Sequence, residues 1–178
     1  SGHIDLAKIL DSISSLSSAD GRMEIVNGSN EITTIVDYAH TPDSLRNALE
    51  TLKCHFKGEI WCVFGCGGNR DEGKRPIMGE IAESFADHIV ITDDNPRNEP
   101  GDRIVSQILS GIQKHQNVSI IRNRAKAISH AITNASPADL IFIAGKGHET
   151  YQEISGRRVI FSDKVHAKSA LRARGSVA

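Results

Sequence analysis

The sequence is short of several things at once. It holds three cysteines in 178 residues, Cys54, Cys62 and Cys66, too few and odd in number for a disulfide framework. No close Cys/His set completes a tetrahedral site, so reduced thiols and no bound metal are expected. Aromatic residues make up only 4% of the chain, which leaves the core to aliphatic side chains. No apolar run reaches the ~18 residues that span a bilayer and no signal peptide opens the chain, so no membrane insertion and a cytoplasmic location are expected. The net charge is −1, without the basic stripe of a nucleic-acid surface, so no nucleic-acid partner is expected. Repeats and low-complexity segments are missing too.

What is present suffices for one ordinary domain with a short appendage. Residues 1–20 form a lead-in segment, with Ser1-Gly2 read as a cloning scar and Ile4, Leu6, Ile9, Leu10, Ile13 and Leu16 spaced for a short amphipathic helix. The domain proper is residues 21–178. It opens with a hairpin, Glu24–Val26 and Glu31–Val36 joined by the turn Asn27–Asn30. Further strands are expected at Glu59–Phe64, His88–Thr92, Val118–Ile121, Asp139–Ala144 and Arg158–Phe161. Helices are expected from Pro42 with Thr41 as cap, over Pro76–Phe85, Arg103–Lys114 and Ala125–Thr133, and after a cap at Ser162 or Asp163. Strands alternating with helices predict an α/β fold: a doubly wound, mostly parallel sheet with helices on both faces.

Four polar segments follow the main strands: Asp37–His40, Gly65–Arg75, Asp93–Arg97 and Gly145–Glu149. Parallel strands deliver such segments to one edge of the sheet, where open α/β folds bind ligands. Gly68–Arg75 nearly matches a phosphate-binding loop, but Arg75 stands where a Mg²⁺-holding hydroxyl belongs. Gly65-Cys66-Gly67 begins a dinucleotide fingerprint, but Arg70 occupies the third glycine position. Both motifs are rejected. What remains is Arg70 as a guanidinium suited to a carboxylate, or a solvated loop whose charges pair among themselves. Asp94-Asn95-Pro96-Arg97 is a stiffened turn that displays an acceptor, an amide and a guanidinium together, or an ordinary Asx turn before a helix. Gly145 lets backbone approach a ligand while Glu149 supplies negative charge, and His148 is an acid–base candidate or serves as a cap.

Taken together, Gly-Arg-Met-Glu at 21–24, DYAHTPDSL at 37–45, FGCGGNRDEGKRP at 64–76, DDNPR at 93–97 and GKGHE at 145–149 resemble the C-terminal domain of the Mur ligases, in their diaminopimelate-adding branch. The resemblance implies a Rossmann-like domain, the mobile third of an ATP-dependent amide-forming ligase of peptidoglycan precursor synthesis. It implies that Arg70, Asp94, Asn95, Pro96, Arg97, Gly145 and Glu149 bind meso-diaminopimelate, and that Arg22 and Asp37 meet ATP. Tyr38, His40 and His148 have supporting places. ATP and Mg are held mainly by a central domain, and the UDP-N-acetylmuramoyl dipeptide by the other domains, none of them in these residues. A monomer is implied, and no catalytic residue in this domain alone, so the isolated chain is expected to be inactive. The physical reading agrees, since a second amino-acid head group brings a carboxylate for the arginines and an ammonium for Asp94 or Glu149. The alternative is a non-catalytic module that binds the amino acid or a muropeptide. A folyl-polyglutamate or cyanophycin type of ligase domain fits less well, because of DNPR.

Overall fold

The computed structural model describes residues 23–26 and 32–175. The lead-in segment, Arg22 and the turn at 27–30 lie outside the described residues. In chain order the elements are β1 (Glu24–Ile25), β2 (Thr33–Asp37), α1 (Pro42–His55), β3 (Ile60–Phe64), α2 (Lys74–Phe85), β4 (His88–Ile91), α3 (Gly101–Leu109), β5 (Val118–Ile120), α4 (Arg124–Asn134), β6 (Leu140–Ala144), β7 (Tyr151–Ile154), β8 (Arg157–Ile160) and α5 (Asp163–Gly175). The main sheet runs β1-β2-β6-β3-β4-β5. Only β1 is antiparallel; it pairs with β2 as the expected hairpin partner, with Glu24 opposite Val36. No described helix is long and apolar enough to cross a membrane.

Strand periodicity splits the core in two. Ile35, Cys62, Phe64, Ile89, Ile91, Leu140 and Phe142 face Leu45, Leu49 and Leu52 of α1, Met78 and Ile81 of α2, and Ile104 and Ile108 of α3. Their neighbours Val36, Trp61, Val63, Val90, Ile141 and Ile143 face the other way, onto Ala127, Ile128, Ala131 and Ile132 of α4 and onto Ala167 and Leu171 of α5. A strand covered on both faces reads as a continuous apolar run, which is why β6 is LIFIA. The doubly wound expectation holds.

Helix starts follow local chemistry. Thr41 before Pro42 and Ser44 in the first turn form a capping box, and Asn123 accepts from the Lys126 amide at 3.0 Å to start α4. The start of α5 is tied to the start of α4 on the same face: Arg124 Nε and Nη2 donate to the two carboxylate oxygens of Asp163 at 2.7 and 2.8 Å. Both side chains are fully buried.

Several expected boundaries move, most by a residue or two, and three of the changes are instructive. α2 begins at Lys74 rather than Pro76, since a proline in the first turn costs no helical hydrogen bond. α3 spans Gly101–Leu109 rather than Arg103–Lys114. Beyond Leu109 the chain turns because Gly111 packs on the Pro76 carbonyl and the Glu83 carboxylate takes the Gln113 and Lys114 amides. The strand expected at Arg158–Phe161 is β8, paired only with β7 in a separate hairpin. Ser155 and Gly156 close it with φ of 50° and 72°, the two-residue turn that matches strand twist.

Asp163→Ala should leave a buried guanidinium without its counter-ion and lower the unfolding free energy by roughly 3–5 kcal/mol in urea titration. Lys53→Met, which removes an exposed ion pair with Asp87, should change it by less than about 1 kcal/mol. Equal losses in the two variants would contradict this ranking.

Candidate functional site

Registry across the sheet aligns the carboxyl ends of the central strands. Asp37 lies opposite Ala144, Val63 opposite Ile143 and Phe64 opposite Ile91. The four polar loops therefore leave one edge side by side.

The loops after β3 and β4 are fastened by a buried cation. Arg75 is fully buried, and its Nη1 and Nη2 donate to Glu99 Oε1 and Oε2 at 2.7 and 2.8 Å. Nη2 also reaches the Gly67 carbonyl at 3.0 Å, and Nη1 the Gln107 amide oxygen. The Arg75 guanidinium holds the Glu99 carboxyl down at about 2. Beside this pair Gly68 N donates to Asn95 O at 2.9 Å, and Arg97 Nη1 donates to Gly68 O at 2.8 Å. Gly68 admits no side chain, because a Cβ there would stand 1.9 Å from Pro96 O. Arg97 has φ of 53°, a conformation costing about 1–3 kcal/mol in a non-glycine residue. It is held by Arg97 N donating to Glu153 O at 3.0 Å and Ser155 N donating to Arg97 O at 2.7 Å.

The loops after β4 and β6 meet on a second buried cation. Lys146 is fully buried, and its Nζ donates to Asn95 Oδ1 at 2.8 Å, Tyr151 O at 2.9 Å and Glu149 Oε2 at 3.1 Å. Asp94 Oδ1 lies 3.3 Å from the same ammonium. Asn95 Nδ2 donates to Glu149 Oε2 at 3.2 Å, and its Oδ1 also takes the Glu153 amide at 2.9 Å. Gly145, with φ of 119°, begins this loop.

The loop after β2 completes the edge. Asp37 is buried, and its carboxylate oxygens accept from Met23 N at 2.6 Å and Ala39 N at 2.7 Å. The Tyr38 ring packs against His40 at 4.5 Å and His148 at 5.5 Å between centroids. Burial, then the Glu149 and Asp94 carboxylates, push the Tyr38 phenol above its ordinary value. Asp37, Tyr38 and His40 line one wall of a cavity of about 440 Å³ whose other wall is the Ser44, Asn47 and Thr51 face of α1.

The residues singled out from sequence thus gather at one edge, Arg22 excepted, which lies outside the described residues. They are not all displayed in the way expected. Pro96 is buried, and Asn95 turns inward onto Lys146 and Glu149 while Arg97 turns toward Gly68 and Glu153. Asp94 and Glu149 already share an internal ammonium. Arg70 is exposed; a Cβ on Gly67 would lie 3.6 Å from Arg70 Cγ and 3.0 Å from Arg97 Nη1, so the two arginines flank one glycine. Sequence reading passed over Lys146, Arg75 and Glu99. A lysine between two glycines directly after a buried strand was the available signal for Lys146. Arg75 and Glu99, 24 residues apart, offered none.

Residues 21–147 match the family model described as Mur ligase, glutamate ligase domain. The chain belongs to the Mur ligase family. Among Mur ligase relatives, the UDP-N-acetylmuramoyl-L-alanyl-D-glutamate–2,6-diaminopimelate ligase of Haemophilus ducreyi is 50% identical over 170 residues, covering 94% of this chain and 34% of that protein. The like-named Vibrio vulnificus ligase is 45% identical over 168 residues, with the same coverage of 94% and 34%. A solved structure of a ligase of that name superposes with a TM-score of 0.83 at 42% identity, over 96% of this chain and 35% of the other. This Mur ligase chain therefore spans about a third of the length of the relatives it matches.

The depressed Glu99 carboxyl carries a sign for stability. Its folded value of about 2 lies below the ordinary 4.5, so its contribution is present above about 4.5 and is lost as pH falls toward 2. Glu99→Gln should therefore flatten the stability profile between pH 4.5 and pH 2, followed by chemical denaturation. An unchanged slope would assign the acid sensitivity to other carboxylates.

Proposed function

We propose that this chain is the amino-acid-binding domain of a ligase that joins meso-diaminopimelate to UDP-N-acetylmuramoyl-L-alanyl-D-glutamate at the expense of ATP. The observation that carries this reading is a cluster of both charge signs, Arg70 and Arg97 flanking Gly67 beside Asp94 and Glu149. Such a cluster complements an amino-acid head group: a carboxylate on guanidinium forks and an ammonium on carboxylates. Relatives bearing the ligase name at 45–50% identity support the same reading.

In that reaction the dipeptide carboxylate takes the terminal phosphoryl group of ATP and ADP leaves. The diaminopimelate amine, already deprotonated, adds its lone pair to the acyl-phosphate carbon. The nitrogen of the tetrahedral intermediate then gives up one proton to water, and collapse breaks the carbon–oxygen bond to phosphate and leaves the amide. The part proposed for this chain is to bring the amine to that carbon in the right orientation, which is where much of a bimolecular barrier resides. Arg70 and Arg97 read the distal carboxylate, with Asp94, Asn95, Pro96, Gly145 and Glu149 shaping the remainder. Arg22 is assigned to phosphate oxygens and Asp37, at the wall of the cavity after β2, to the ribose hydroxyls. Tyr38, His40 and His148 support that wall. The described residues contain no group of three or more His, Cys, Asp or Glu placed to hold a metal ion, and no step is assigned to Mg²⁺ on this chain. The same reading makes the chain a monomer that turns nothing over by itself and binds ATP weakly at most. Micromolar ATP binding in calorimetry would overturn that placement.

In the full-length enzyme, Arg97→Ala should raise the KM for diaminopimelate about ten- to a hundredfold, the scale of one charge-assisted bidentate contact, with little change in ATP use. Arg97→Lys should rescue little, because an ammonium lacks the planar fork. Discrimination against lysine should shrink in both, since lysine has no distal carboxylate to satisfy the half-buried Arg97 guanidinium. Unchanged diaminopimelate kinetics in Arg97→Ala would remove Arg97 from the site.

A further inference from the structure

A fully buried ammonium is costly unless all three of its donors are used and its charge is countered. Lys146 meets both conditions with partners from three segments: Asn95 after β4, Glu149 after β6 and the Tyr151 carbonyl at the start of β7. Asn95 and Glu149 are bonded to each other as well, at 3.2 Å. Their positions are therefore set by Lys146 before any ligand arrives. One atom in the cluster is left open: Asp94 Oδ1 is buried and has no hydrogen-bond partner among the described residues, although it lies 3.3 Å from Lys146 Nζ. Arg124 Nη1 is a buried donor in the same condition. A Cβ on Gly145 would be 3.9 Å from both Asp94 Cγ and Arg124 Nη2, so these groups border the same glycine.

The charges can be counted. Asp94 and Glu149 bring two negative charges and Lys146 one positive, which leaves one negative charge for a ligand ammonium. Without Lys146 the same pocket would carry two, and would favour a head group that is only cationic over one that also bears a carboxylate. We infer that Lys146 is a positioning and specificity-determining residue: it orients Asp94, Asn95 and Glu149 and cancels one of their charges, so that the pocket prefers a zwitterionic head group to a bare ammonium. The inference rests on the amino-acid-binding reading above.

The test is steady-state kinetics of the full-length enzyme with meso-diaminopimelate and with L-lysine, for wild type, Lys146→Met and Lys146→Arg. Lys146→Met should raise the diaminopimelate KM about tenfold or more and narrow the ratio of kcat/KM between the two amino acids by at least as much, with a smaller change in kcat. Lys146→Arg, which keeps the charge, should keep most of that ratio even where the larger side chain lowers activity. A purely structural role would depress both substrates equally, and an unchanged ratio in Lys146→Met overturns the proposal. If Lys146→Met does not fold, judged by its melting curve, the arginine variant decides, and loss of discrimination there overturns the proposal instead. Wild-type enzyme that adds neither amino acid would sink the parent reading, an outcome visible before any variant is compared.

Discussion

The parallel pairing of β6 with β2 on one side and β3 on the other is the constraint on which the rest of the structure depends. All residues of β6 are fully buried, and its backbone groups find partners on both sides, as a buried polar backbone must. Because β6 comes late in the chain yet lies between two early strands, the chain has to return past β4 and β3 through α4. That return lies on the face opposite α1, α2 and α3. The loop leaving β6 consequently emerges between neighbours whose own connections go to the other face. Crevices form at such reversals, and the loops after β2 and β6 leave the sheet side by side at this one.

Apolar burial cannot hold such an edge, because loops there carry polar backbone and few large side chains. Buried cations take over that task. Arg75 ties the loop after β3 to the one after β4, Lys146 ties that loop to the one after β6, and Arg124 ties α4 to the start of α5. Arg124 also reaches the last carbonyl of β6, at Ala144. Each costs several kcal/mol in desolvation, offset only while its carboxylate and carbonyl partners stay in place. Such interactions add less to stability than to uniqueness: each is satisfied in one arrangement of two loops and in few others. A site that must orient an amine within a fraction of an ångström benefits from that rigidity more than from extra burial.

What could be read of the site follows the same division. Contiguous motifs such as DDNPR and GKGHE are visible in one dimension, and residues within them do share one edge. The directions of their side chains are not visible there. Asn95 was read as offered outward with Arg97; instead it bonds Lys146 and Glu149, because a buried ammonium 51 residues away in sequence needs an acceptor more than solvent does. Lys146 itself was given no role, although its place between two glycines directly after a buried strand was a local signal.

By itself the sequence determined the order of strands and helices apart from β7, which it did not reveal, the burial of both sheet faces and the edge that collects the polar loops. Apolar periodicity, caps and glycines act over a few residues, and they remain readable without partners. Boundaries moved wherever a distant group intervened, as when Glu83 captured the amides beyond α3 and ended it early. The tertiary structure alone decided where β6 inserts, that β7 and β8 stand apart from the main sheet, and which carboxylate each buried cation answers. Strand order and ion pairing are settled by contacts between segments dozens of residues apart, and no local pattern encodes which of several compatible partners will be nearest.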